Sequence, residues 1–178
     1  MGKTQASIER YCRQEAQTAS LAKDFAASIS QLLSKNPNAH LNISLEGDLG
    51  AGKTTFARYL IQGMGHEGKV KSPTYTLCEP YLIHIKDGNQ SNAASITAHH
   101  FDLYRMRDPL EWQEAGFAEH FDEPGFCLVE WPEKAEGTLP AFDVAIHLMA
   151  GGDEHSRDIS LQANSSQGIT VLEKMHAQ

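Results

Sequence analysis

Apolar side chains at Leu21, Phe25, Ile29, Leu32 and Leu33 recur at helical spacing. They predict a helix over 15–34, stopped before Asn36-Pro37 because the residue ahead of a proline avoids the helical region. A short apolar run then predicts a strand at 41–46. After a glycine-rich turn, a helix follows from about 53 to 64, and the polar, turn-rich stretch H-E-G-K-V-K-S-P-T lies beyond Gly65. Residues 75–85 and 95–101 read as strands joined by the hairpin-like loop K-D-G-N-Q-S-N. Pro109 suits the first position of a helix over 109–121. The run F-C-L-V-E at 126–130 reads as a short buried strand. Residues 141–149 and 157–163 flank a G-G-D-E turn and read as a hairpin, and 165–176 as a closing helix. Strands alternating with helices predict an α/β domain. The hairpins make its sheet mixed, not purely parallel.

Composition agrees with one globular unit. The chain has 178 residues, 40% hydrophobic and 21% charged, as expected of a domain with a real core. No apolar run approaches the roughly 20 residues that span a bilayer, and the N-terminus lacks an apolar signal core. Three scattered cysteines, Cys12, Cys78 and Cys127, predict reduced thiols in a cytoplasmic protein. A net charge of −8 argues against a general nucleic-acid-binding surface.

The strongest chemical signal is G-D-L-G-A-G-K-T, residues 47–54. It matches G-x-x-x-x-G-K-[ST] at every fixed position, between a predicted strand and a predicted helix. Glycines let the backbone curl around an anion, and the helix N-terminus adds partial positive charge. Lys53 would reach the β- and γ-phosphates of a nucleotide, and the Thr54 hydroxyl would ligate Mg²⁺. A bound triphosphate also needs acidic groups. Asp102 follows the apolar strand of H-H-F-D-L-Y-R, where strand ends face the ligand crevice in such sheets. Glu130 ends the strand of C-L-V-E-W-P-E, where a carboxylate can hold Mg²⁺ directly or through water, or orient an attacking water. Thr74, in K-S-P-T-Y-T, is placed to sense a γ-phosphate as switch segments do. His99 and His100 alternate across a strand, so at most one faces the site. Neither has zinc-motif spacing, and both read as structural.

Taken in order, G-D-L-G-A-G-K-T-T, V-K-S-P-T-Y-T-L, H-F-D-L-Y-R and L-V-E-W-P-E resemble the TsaE (YjeE) family over roughly residues 40–150. The resemblance implies a cytoplasmic P-loop ATPase needed for threonylcarbamoyl modification of adenosine 37 in tRNAs that read codons starting with A. It implies ATP and Mg²⁺ as cofactors and TsaB and TsaD as partners, with tRNA met only through their complex and no membrane role. Carried over by position, Gly47, Asp48, Leu49, Gly50, Ala51, Gly52, Lys53, Thr54, Thr55 and Phe56 would hold the nucleotide. Thr74 would lie in the first switch, and Trp131 and Glu133 beside the nucleotide. Thr54, Thr55, Glu130 and Asp102 would serve the metal, and Asp102, Glu130 and Lys53 the chemistry. Which carboxylate is the base stays open. By the same resemblance, Glu15 to Thr18 and the region near Glu133 are candidates for the adenine pocket. Residues 1–14 read as an N-terminal extension to an ATPase domain at 15–178, and 85–94 as an insert.

Two rivals share the phosphate loop. A small-molecule or nucleotide kinase typically adds an Arg-rich lid, whereas Arg105 and Arg107 are the one close pair here. A nucleotide-sensing module without catalysis is the other. A GTPase is disfavoured, because no N-K-x-D-like guanine reader is present.

Overall fold

The computed structural model describes residues 6–73, 75–85 and 94–176. The strands are β1 (Ser7–Cys12), β2 (His40–Glu46), β3 (Cys78–Ile85), β4 (Ala94–Asp102), β5 (Gly125–Glu130), β6 (Val144–Ala150) and β7 (Arg157–Ala163). The helices are α1 (Glu15–Lys35), α2 (Lys53–Gly63), α3 (Glu111–Glu114) and α4 (Ser166–His176). Thr74 and most of the expected insert, 86–93, lie outside the described residues.

One seven-stranded sheet runs in the order β1-β7-β6-β2-β5-β4-β3. Its centre is parallel: β2 pairs with β5 and β6, and β5 with β4. The flanks are antiparallel, β3 on β4 at one side and β7 between β6 and β1 at the other. The sheet is thus mixed, as the hairpin signals predict. The central strands explain their composition. Every residue of β5 is buried, because both sheet faces are covered, which calls for a continuous apolar run instead of alternation.

On one face, α1, α2 and α4 pack over Ile43, Leu45, Phe126, Leu128 and Ile146. The α1 stripe of Leu21, Phe25, Ile29, Leu32 and Leu33 is buried there, so the sequence periodicity marks its inward side. On the other face a smaller core gathers Phe101, Leu103, Trp112, Phe121, Cys127 and Val129. The three cysteines are free and buried. Burial pushes the Cys78 thiol up to about 12 and the Cys127 thiol higher still, so neither offers a reactive thiolate at neutral pH.

Two expectations need revision. The helix over 109–121 is broken into α3 and a 3-10 turn, Ala118–Phe121. Gly116 adopts φ +85° and ends α3 in a left-handed conformation suited to glycine. Glu111, not Pro109, is the first helical residue, with Leu110 before it. The break lets both Trp112 and Phe121 face the smaller core. The second concerns residues 1–14. Within them β1 pairs along its length with β7 and buries Ile8 and Cys12, so the boundary expected at residue 14 does not separate β1 from the sheet. Ile8→Ala is therefore expected to lower unfolding free energy by about 2 kcal/mol or more, and Glu9→Ala by under about 0.5 kcal/mol. Chemical denaturation of both variants checks this; equal, negligible effects would mean β1 adds nothing to the fold.

Candidate functional site

Parallel pairing decides what meets what. Leu45 and Asp102 both register with Glu130, so β2, β4 and β5 end together at one edge of the sheet. The loop 47–52 leaves β2 at that edge and enters α2. Gly47, Gly50 and Gly52 have φ of +152°, +81° and +101°, where L side chains are strained. A Cβ on Gly47 would also lie 2.4 Å from the Leu148 carbonyl oxygen. The curl is thus specific to glycine at this point, and it brings the α2 N-terminus to the strand ends.

A cavity of about 400 Å³ opens there. From the loop and the start of α2, Leu49, Gly50, Gly52, Lys53, Thr54 and Thr55 line it. Asp102, Glu130 and Trp131 form the facing wall. Gly47 and Asp48 contribute differently: their carbonyls accept hydrogen bonds from Lys53 Nζ at 2.5 and 2.9 Å. Ala51 is buried beneath the loop. Phe56 does not line the cavity; its side chain is wholly buried in the larger core, and its backbone N–H donates to the Gly52 carbonyl. Glu133 is exposed on the turn after Trp131 and lines neither this cavity nor the hollow described below.

Lys53 is only 5% exposed. Its ammonium also sits 4.0 Å from the centroid of the Trp131 ring, a cation–π contact. Burial pushes its pKa down, and Glu130, Glu133, Asp102 and Asp48 pull it back up. An ammonium has three donors, and the loop carbonyls use two. Trp131 reaches Lys53 through a backbone at φ +59°, uncommon for a bulky residue, and its ring packs 4.9 Å from that of Tyr104.

Glu130 is 2% exposed, and three donor contacts surround its carboxylate. The Thr54 hydroxyl lies 2.9 and 3.1 Å from its two oxygens. The His100 ring meets Oε2 through Nε2 at 2.6 Å. Asp102 sits beside it, accepting from the Ser72 hydroxyl and from the Tyr104 amide at 3.1 Å. A hydroxyl and two carboxylates form an all-oxygen donor set, the chemistry that suits Mg²⁺. Beside a glycine cradle, a lysine and a helix N-terminus, that set fits a metal-bound polyphosphate.

His100, Ser72, Tyr104 and Arg157 are the residues that sequence reasoning missed. His100 carried a usable signal: it lies two residues before Asp102, and strand alternation puts both on one face. Ser72 belongs to the S-P-T segment but was overshadowed there by Thr74. Arg157 had no local signal. It reaches the loop from β7, donating through Nε to the Ala51 carbonyl at 2.8 Å, through Nη1 to the Glu154 and Ser156 carbonyls, and through Nη2 to the Gly50 carbonyl at 3.5 Å. Behind the loop lies a smaller hollow of about 70 Å³, lined by Glu15, Thr18, Thr55, Leu148, Glu154 and His155. Two of the adenine-pocket candidates, Glu15 and Thr18, thus face a recess next to the 47–52 loop.

Known proteins resemble this chain in sequence and in fold. The family model "Threonylcarbamoyl adenosine biosynthesis protein TsaE" matches residues 12–159. The tRNA threonylcarbamoyladenosine biosynthesis protein TsaE of Haemophilus influenzae is 37% identical over 166 residues, covering 93% of this chain and 96% of its own. That of Bacillus subtilis is 38% identical over 133 residues, covering 75% and 76%. The crystal structure of Bacillus subtilis YdiB superposes with a TM-score of 0.72 at 27% identity, over 99% of this chain and 98% of its own. No helix among the described residues is long and apolar enough to cross a membrane. With the family model spanning most of the sequence and a relative this similar along nearly its whole length, the chain belongs to the TsaE family of tRNA threonylcarbamoyladenosine biosynthesis.

Proposed function

We propose that this chain is a Mg²⁺-dependent ATPase that serves threonylcarbamoyl modification of adenosine 37 in tRNA, acting with TsaB and TsaD. The observation that carries this reading is the contact between the Thr54 hydroxyl and both Glu130 oxygens, at 2.9 and 3.1 Å, in the cavity that also holds Lys53 and Asp102.

The loop glycines and the α2 N-terminus would cradle the phosphates, with Lys53 adding a positive charge at the β/γ end. Thr54 and Glu130 would hold Mg²⁺, and Asp102 and Thr55 stand within the same cavity to complete its surroundings. Bound Mg²⁺ supplies charge neutralisation on phosphate oxygens. Asp102, held by Ser72 and the Tyr104 amide, would orient water or accept its proton. The hollow at Glu15 and Thr18 would receive the base.

Slow turnover by the chain alone fits the electrostatics. Arg157, the arginine on the cavity wall, is occupied by loop and hairpin carbonyls. A free arginine finger can be worth about 10³–10⁵ in rate. Activation would then come from partner proteins. The net charge of −8 also makes a partner's basic surface the natural contact for tRNA.

Phosphate release and nucleotide affinity are expected to separate the roles. Lys53→Ala should abolish productive ATP binding. Asp102→Asn should cut hydrolysis far more than ATP binding, because it acts on water and developing charge, whereas Glu130→Gln should cut hydrolysis and also weaken the Mg²⁺-dependent part of ATP binding, because Glu130 would hold the metal. Adding TsaB and TsaD should raise the wild-type rate. Wild-type rates in both carboxylate variants with partners present would place the chemistry elsewhere; no gain from partners would favour a stand-alone kinase.

His100 gives a second, independent test. Glu130 is buried, and His100 supplies one of its few partners. Removing one member of such a pair leaves the other underpaired. A denaturation double-mutant cycle with His100→Leu and Glu130→Gln should show a coupling of about 1–3 kcal/mol at neutral pH. Additive effects would show that His100 does not hold the carboxylate.

A further inference from the structure

On the sheet face opposite the phosphate-loop helix, three metal-ligating side chains converge. His99 points there from β4, opposite in parity to His100. His120 comes from the 3-10 turn before β5, and Glu123 from the bend that follows it. Their donor atoms all lie within 4.8 Å of one another. His99 Nε2 is 3.7 Å from Glu123 Oε2, and His120 Nδ1 is 3.2 Å from Glu123 Oε1. Bonds of about 2.0–2.2 Å to nitrogen and oxygen set tetrahedral neighbours about 3.3 Å apart, so these two gaps bracket the edge of such a site. None of the three side chains lines the nucleotide cavity.

We propose that His99, His120 and Glu123 form a binding site for a divalent transition metal of the zinc class. Two imidazoles and one carboxylate are a donor set that suits zinc and its first-row neighbours, whereas Mg²⁺ prefers oxygen donors. The site is therefore chemically distinct from the oxygen-lined one at Thr54 and Glu130.

Much of the framework is held before any ion arrives. His99 is 3% exposed and fixed in a central strand. The His99 and His120 rings stack with centroids 3.9 Å apart, and because imidazole lone pairs lie in the ring plane, the partly exposed His120 ring has to turn out of this stack for both nitrogens to face one ion. His40 on β2 contacts the Glu123 carbonyl through Nδ1 at 2.6 Å, and Asn42 Oδ1 accepts at its other nitrogen at 2.7 Å. That chain anchors the bend carrying Glu123, as outer-shell partners do around metal ligands. Cys127 Sγ donates to the His120 carbonyl at 3.3 Å and holds the other end of the turn. Burial lowers the His99 pKa to about 4, which leaves its ring neutral near pH 7. His120 and Glu123 are partly exposed, so solvent can complete the coordination. Three protein ligands with an open fourth position match open zinc sites, not the closed four-ligand structural kind. An ion there would clamp the 118–123 turn onto β4.

A metal-free, hydrogen-bonded trio is the competing reading, and zinc titration separates the two. The full chain, stripped with chelator and kept in excess Mg²⁺, would be titrated with Zn²⁺ by calorimetry and with Co²⁺ by visible absorption. The expected result is uptake of one ion and a melting temperature raised by roughly 5 °C or more at about 100 times the dissociation constant. His120→Ala and Glu123→Gln, on partly exposed positions, should keep their metal-free melting temperatures near wild type. Each should weaken uptake at least about tenfold. His84→Ala, on the exposed side of β3, should change nothing. No uptake in excess Mg²⁺, or uptake undiminished in both His120→Ala and Glu123→Gln, would overturn the site.

Discussion

The parallel pairing of β2, β5 and β4 is the constraint on which the rest depends. It brings three strand ends to one edge in register, with Glu130 opposite both Leu45 and Asp102. The glycine-rich 47–52 turn, the buried carboxylate and the second carboxylate then meet without any long loop having to carry them. Antiparallel hairpins close both sides of this parallel centre. One of them delivers Arg157 to the back of the loop. A slip of one residue in the β4–β5 register would turn Asp102 and His100 to the other face, where the apolar cluster of Phe101 and Val129 sits.

Within that frame the decisive group is Glu130. A carboxylate 2% exposed is costly unless paired. Its surroundings meet that demand with the Thr54 hydroxyl, the His100 ring and the nearby Lys53 ammonium. These groups link the α2 N-terminus to the sheet through one buried anion. The same contacts gather carboxylate oxygens and a hydroxyl beside the glycine loop, where the proposed function would need a phosphate-bound cation.

Much of this was legible from short-range sequence. Lys53 and Thr54 are set by a motif whose spacing matches a strand–turn–helix, and Asp102 and Glu130 by their positions at the ends of apolar runs. What escaped depends on longer-range geometry. Arg157 sits more than a hundred residues from the two loop carbonyls it holds, those of Ala51 and Gly50, and no local pattern marks it. His100 was legible through its parity with Asp102, but a histidine in an apolar strand carries no chemistry until its neighbour is known. In β1 only Ile8 and Cys12 face inward, too few to signal a strand until β7 supplies the partner. The 109–121 helix failed at Gly116, a single residue whose left-handed backbone outweighs the helical spacing around it.

The central claim is that a nucleotide binds this loop through a cation held by Thr54 and Glu130. Calorimetric titration of ATP into wild type and Thr54→Val, each in Mg²⁺ and in chelator, tests it most directly. The account predicts that Mg²⁺ strengthens binding to wild type and that Thr54→Val, which keeps the side-chain shape but loses the hydroxyl, abolishes that gain while keeping the fold. A wild type that binds no ATP, or a Thr54→Val variant with the full Mg²⁺ effect, would contradict it.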